Sequence, residues 1–139
     1  MPRVKKFRSD RLVLVKTGPY LVKWDGECRS KFQANVKKWL EPYWHNHLCV
    51  EEWPIPGTRL RIDLVNLSLK VIVETSGAQH VKFTPYFHTD NRFNWHGQIK
   101  RDEHKREWAE ANGFKFVEIY DEDMPLTKQF FKEKYDIDL

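Results

Sequence analysis

Two acids stand out for the chemistry their placing allows. Asp63 lies in the run Arg59 to Val65, where Leu60, Ile62 and Leu64 point one way and Arg59, Arg61 and Asp63 the other. That alternation predicts a half-buried strand. Glu74 ends the next apolar run, Val71-Ile72-Val73, which suits a strand buried on both faces. Ten residues separate the two acids, and Asn66-Leu67-Ser68 turns the chain between them. Adjacent strands joined so closely bring both carboxylates to one end of a sheet. Two carboxylates a few ångströms apart repel each other and are normally kept ionised by a cation. Hard oxygen ligands suit Mg²⁺, which polarises a phosphate and generates a hydroxide nucleophile. By spacing alone, an ordinary pair of solvated strand-end acids is the simpler account.

Other groups are weaker. Arg101, Asp102 and Lys105 sit in a polar helical stretch, where i,i+4 pairing on a solvated face explains them. His45, His47 and Cys49 share one face of an extended strand and make zinc conceivable, but a fourth ligand at structural-zinc spacing is missing. Between residues 81 and 97, Phe83, Tyr86, Phe87, Phe93 and Trp95 interleave with Lys82, His88, Arg92 and His96. Such mixtures stack on or wedge between bases, and they also cap small cores.

The elements that must position these residues can be read in order. Arg11 to Trp24 reads as a hairpin, Leu12 to Val15 and Tyr20 to Val22 being broken by Thr17-Gly18-Pro19. Ser30 is an N-cap for a helix running to Glu41, before Pro42, with Phe32, Val36, Trp39 and Leu40 on one face. Strands follow at Leu48 to Trp53, Arg59 to Val65 and Leu69 to Glu74. Residues 81–97 read as a long loop. A polar helix spans Gln98 to Ala111 and stops at Asn112-Gly113. Phe114 to Tyr120 is the last strand, and Leu126 to Lys134 a short terminal helix. The order predicts one α/β domain with a central mixed sheet flanked by helices.

Composition narrows the classes. The chain has 139 residues, 24 Lys and Arg against 20 Asp and Glu, 40% hydrophobic and 14% aromatic residues. This is a globular balance, and the length is that of one domain. The longest apolar runs, Leu12 to Val15 and Val71 to Val73, are too short to span a bilayer. No apolar segment follows the basic N-terminus as in a secretory signal. Two cysteines, Cys28 and Cys49, make no disulfide framework. The expected location is therefore cytoplasmic, with no membrane partner. Charge is uneven. Residues 1–31 carry a net of +6 and residues 118–139 a net of −4. A basic first segment attracts polyanions such as nucleic acid or is simply a solvated arm.

Taken together, Arg61-Ile62-Asp63 and Val71 to Glu74 with Thr75-Ser76-Gly77-Ala78-Gln79-His80 resemble the PD-(D/E)XK nuclease superfamily. The likeness is greatest to its very-short-patch-repair-like branch, which includes small phage and mobile-element endonucleases. Arg101 to Lys105, Trp108-Ala109, Asn112-Gly113-Phe114 and the strand Phe116 to Ile119 extend it over about residues 28–122. Val73 to Gly77, and Glu51-Glu52-Trp53 before Pro54, also look like the phage-type Holliday-junction resolvases of that superfamily.

The resemblance implies a restriction-endonuclease-like core over residues 28–139, preceded by a basic N-terminal β-hairpin appendage over 1–27. It implies a Mg²⁺-dependent DNA endonuclease that nicks one strand per site, Mn²⁺ substituting, with a homodimer or two encounters needed for a double-strand cut. Asp63 and Glu74 would hold the metal. His80, with Gln79, would manage protons, since His titrates near neutrality. Lys82, Arg92, Arg101, Lys105 and Arg11 would contact nucleic acid. Two positions depart from the pattern. The first-helix acid falls at Gln33, and the Lys two residues after the Glu, which orients or deprotonates the attacking water, falls at Ser76. These departures support the alternative of a non-catalytic or degenerate nucleic-acid-binding module on the same fold. An RNA-directed nuclease differs only in substrate.

Overall fold

A computed structural model describes residues 2–76 and 92–139, with side chains described from residue 100 onward in the second part. The fold is a small α/β domain: a four-stranded mixed sheet, a two-stranded hairpin and three helices among the described residues. The hairpin is β1 (Arg3–Lys5) with β2 (Leu12–Leu14). Then come α1 (Lys31–Trp44), β3 (Cys49–Pro54), β4 (Arg61–Asn66), β5 (Val71–Thr75), α2 (Arg92–Ala111), β6 (Lys115–Ile119) and α3 (Lys128–Tyr135). The sheet order is β3-β4-β5-β6, antiparallel for the first two pairs and parallel for β5 with β6. The parallel pair is joined by the crossover that contains α2, as parallel strands require.

Each face of the sheet has its own core. On one, Val71, Val73, Val117 and Ile119 pack with Val36, Leu40 and Trp44 of α1 and Phe131 of α3. On the other, Val50, Trp53, Ile62, Val65 and Ile72 pack with Trp108 and Ala109 of α2 and with Val4 and Val15. Ser30 caps α1, its hydroxyl accepting the Gln33 N–H at 3.0 Å. Past α2, Gly113 takes φ +75°, the left-handed turn that ends the helix.

Four expectations are corrected. The hairpin is residues 3–14, not Arg11 to Trp24. β2 pairs back onto β1, while Gly18-Pro19-Tyr20 forms a short 3₁₀ turn and Leu21 makes a single bridge to Val50. It is also no appendage, because Val4 and Val15 are buried in the second core. The first helix passes Pro42 to end at Trp44. Pro42 forfeits one N–H bond, and complete burial of Trp44 outweighs it. The polar helix begins at Arg92, so residues 92–97 are helical and not loop. The rest of that stretch, 81–91, lies outside the described residues, as do residues 77–80.

The fourth correction bears on the site. Leu60 and Ile62 face the α2 side, but Leu64 faces α1 and Val65 returns to the α2 side. In β3 the same shift occurs, with Val50 and Trp53 both on the α2 side. Between them Glu52 takes φ +51°, and its pairing with Asp63 is absent from an otherwise continuous register. The two strands therefore kink together at Glu52 and Asp63, with no residue inserted in either.

The hairpin is held to α2 by two bonds: Trp108 Nε1 donates to Lys5 O at 2.7 Å, and Lys5 N donates to Asn112 Oδ1 at 2.7 Å. Trp108 also stacks on Phe114 and meets Trp53 edge-on. Trp108→Ala should destabilise the protein by about 3–5 kcal/mol and Asn112→Ala by about 1 kcal/mol. Urea unfolding monitored by circular dichroism checks both.

Candidate active site

The β4–β5 ladder ends at Leu64–Val73, one pair short of Asp63 and Glu74. Beyond it the side chains take over. Asp63 N donates to Glu74 Oε2 at 2.7 Å, and Thr75 N and Oγ1 donate to Asp63 Oδ2 at 2.9 and 2.8 Å. Each carboxylate thus closes a bond on the opposing strand, and the strands splay around the pair. Glu74 is 4% exposed. Burial, then the charge of Asp63, pushes its carboxyl up to about 7, against the opposing pull of Lys105 and the Asp63 N–H.

Helices from both faces converge here. α2 brings Lys105, whose Nζ donates to Glu74 Oε1 at 2.5 Å. The start of α1 brings Ser30 and Gln33. Together with Asp63, Thr75, Ser76, Asp102 and Arg29 these residues line a polar cavity of about 250 Å³. Gln33 reaches Glu52 with its amide at 3.3 Å, and Arg29 reaches the same carboxylate at 3.2 Å. Glu52 chiefly, with Asp63 and Glu74 beyond it, raises the Arg29 guanidinium pKa. The positive end of Arg29 therefore lies in the field of all three acids.

The residues fit a Mg²⁺ ion that keeps most of its waters: two carboxylates, one poorly stabilised as an anion, facing a polar cavity. Against this, Lys105 already supplies Glu74 with a positive charge. Among the described residues no group of three or more His, Cys, Asp and Glu is gathered as a closed metal site. The His45–His47–Cys49 set is dispersed into other roles. His47 Nδ1 meets Asn66 Nδ2 at 2.9 Å, and burial pushes the Cys49 thiol up to about 12.

The structure brings together Asp63, Glu74, Lys105 and Gln33 of the expected site residues. Lys105 lines the cavity with its ammonium on Glu74 and is not displayed on an outer face. Gln33 lines the cavity, but its amide points to Glu52. Arg101 is exposed on α2 and Arg11 on the hairpin, and neither lines the cavity. Gln79, His80 and Lys82 lie outside the described residues, as does the side chain of Arg92, the first residue of α2. Sequence reasoning missed Arg29, Glu52, Thr75 and the cavity position of Asp102. Thr75 had a signal, being next to Glu74; the others depend on contacts distant in sequence.

Three viral proteins are similar to the chain. It is 33% identical over 97 residues to the uncharacterized protein 094L of Frog virus 3 (isolate Goorha), covering 70% of this chain and 61% of that protein. It is 42% identical over 60 residues to the uncharacterized protein 307L of Invertebrate iridescent virus 6, covering 43% and 30%. It is 36% identical over 66 residues to the uncharacterized protein 033L of Invertebrate iridescent virus 3, covering 48% and 34%. The chain thus spans from under a third to about three-fifths of these relatives. No protein-family model and no solved structure matches it.

The Glu74 environment has a consequence for stability. Its carboxyl titrates near 4.5 when unfolded and near 7 when folded, so folding favours the protonated form. That contribution is complete below about pH 4.5 and is lost as pH rises through 7, by up to about 3 kcal/mol. Without divalent metal, the wild type should lose stability between pH 5 and 8, and Glu74→Gln should show a flatter profile. Denaturant unfolding across that range measures the difference.

Proposed function

We propose that the protein is a metal-dependent DNA endonuclease. The observation that carries this reading is the trio of Asp63, Glu74 and Lys105 around one polar cavity where β4 and β5 splay. The order of helix, three antiparallel strands, helix and parallel strand is in keeping with the restriction-endonuclease-like core that the resemblance implies. Asp63 and Glu74 would hold Mg²⁺, or Mn²⁺ in its place. When bound, the ion polarises the phosphodiester and stabilises charge developing on it.

The chain's own groups have separable tasks. Thr75 fixes Asp63 through two bonds to one oxygen, Oδ2, at the lining of the cavity. The Asp63 N–H and Lys105 Nζ each engage a different oxygen of Glu74, so its carboxylate plane is set from two sides. Lys105, its ammonium on Glu74, would orient an attacking water, the task that Ser76 cannot perform. Thirty-one residues separate Lys105 from Glu74 in sequence, yet it meets the carboxylate directly.

A second reading has one observation in its favour. The Lys105–Glu74 pair neutralises Glu74 without a metal, as in a degenerate module that binds nucleic acid and cleaves nothing. Supercoiled plasmid with Mg²⁺ or Mn²⁺ decides between them. The enzyme should nick it, with chelator abolishing activity. Asp63→Asn and Glu74→Gln should lower the rate by about a hundredfold or more. Lys105→Ala should lower it by about a hundredfold. Mg²⁺ should raise the melting temperature of the wild type and not of Asp63→Asn. No cleavage with any metal, and no thermal response to Mg²⁺, would overturn the nuclease reading, and salt-dependent DNA binding in that case would establish the degenerate module.

A further inference from the structure

A second cleft, of about 350 Å³, opens beside the Asp63–Glu74 cavity and shares Arg29 and Gln33 with it. The two form one trench, leading from the carboxylates past the first turn of α1 to Lys23 and Tyr20. Two of the acids along it are already matched. Glu51 accepts from Lys37 Nζ at 2.8 Å and from the Lys23 N–H at 2.7 Å. Glu52 accepts from Arg29 and Gln33. Glu27, exposed at the trench side, is the third acid. Arg61 is exposed, and neither its guanidinium nor the Lys23 ammonium makes an ion pair among the described residues.

Two further features point to a phosphate track. Arg61 precedes Asp63 by two residues on β4, about 7 Å along the strand, and lines the cleft where Asp63 lines the cavity. That is roughly the span of one nucleotide in an extended strand. Glu52 holds Arg29 at the junction of cavity and cleft from a left-handed backbone, φ +51°, within a strand. Strain of this kind is kept where the surrounding structure gains from the side chain's position.

We propose that this trench seats the DNA strand on one side of the phosphate presented to Asp63 and Glu74. Arg61 and Arg29 contact the neighbouring phosphates, Lys23 contacts the next, and Glu52 is the positioning residue for Arg29. The proposal rests on the nuclease reading for its orientation, but its test does not require cleavage.

Fluorescence anisotropy of a labelled DNA duplex, in chelator and across a series of salt concentrations, measures the contacts directly. Arg61→Ala and Arg29→Ala should each weaken binding by about tenfold at low salt and reduce the slope of log K against log salt by about one. Lys23→Ala should have a smaller effect of the same kind. Lys128→Ala, a cation on α3, should change neither quantity, and thermal melting verifies that each variant is folded. Wild-type binding with unchanged affinity and slope in all three trench variants overturns the proposal, whether or not plasmid is nicked. So does the absence of DNA binding, or binding of a matched RNA alone. Weakened binding by the variants, with no nicking by the wild type under any metal, leaves the trench standing and removes the nuclease reading.

Discussion

Where β4 meets β5, backbone bonds that a longer ladder would make are replaced by bonds through side chains. Asp63 gives its N–H to Glu74 and takes the N–H of Thr75 on its own carboxylate. A buried backbone group must find a partner, so this exchange keeps the strands paired while forcing them apart. It also fixes both carboxylates at the sheet end, where ordinary ladder bonding would leave the side chains free to turn toward solvent. The kink at Glu52 and Asp63 belongs to the same constraint. Ile62 can fill the α2-side core and Leu64, two residues on, the α1-side core only if the strand changes face between them, at Asp63.

α2 depends on this arrangement and completes it. The helix is largely polar, and little of its surface is apolar enough to bury. Trp108 and Ala109 anchor it to the sheet, and Asn112 ties its end to the hairpin. One turn earlier, Lys105 and Arg106 engage Glu74 and Glu118, which are register partners on β5 and β6. Two consecutive cations thus answer two neighbouring acids. Lys105 and Glu74 are both largely buried, so removing either leaves an unmatched charge, whereas Arg106 is exposed. The hairpin contributes by the same route, because its bonds to Trp108 and Asn112 set the register of the helix that carries Lys105.

Much of this frame was legible in the sequence. Strict local patterns, such as the Ser30 cap, the Asn112-Gly113 stop and the apolar run before Glu74, are set by residues near one another and came through intact. What failed needed distant partners. Leu12 to Leu14 are β-prone, but the choice of Arg3–Lys5 as partner over Tyr20 to Val22 is made by Val4, Val15 and the Lys5 bonds to α2, more than 100 residues away in sequence. The face change at Leu64 is invisible to a period-two reading, since Leu60, Ile62 and Leu64 satisfy it. Spacing alone makes Lys105 one more charge on a solvated helix and the resemblance makes it a phosphate contact; its bond to Glu74 depends on the crossover that carries α2 back over the sheet.

The two departures from the nuclease pattern acquire a physical meaning in space. Ser76 is buried, and its N–H donates to Ile119 O at 2.8 Å, which extends the β5–β6 pairing past Glu74. A long cation there would start from a backbone locked against β6, beside the acid that Lys105 already reaches. Gln33 lies at the capped start of α1 and gives its amide to Glu52, which in turn holds Arg29. An acid at position 33 would face the Glu52 carboxylate at hydrogen-bond distance, and the repulsion would release Arg29 or raise the pKa of one carboxyl. The neutral amide is therefore what the Glu52–Arg29 contact requires. The ammonium from α2 and the amide on α1 are parts of one charge arrangement, in which Lys105 balances Glu74 and Arg29 balances Glu52 across the same cavity.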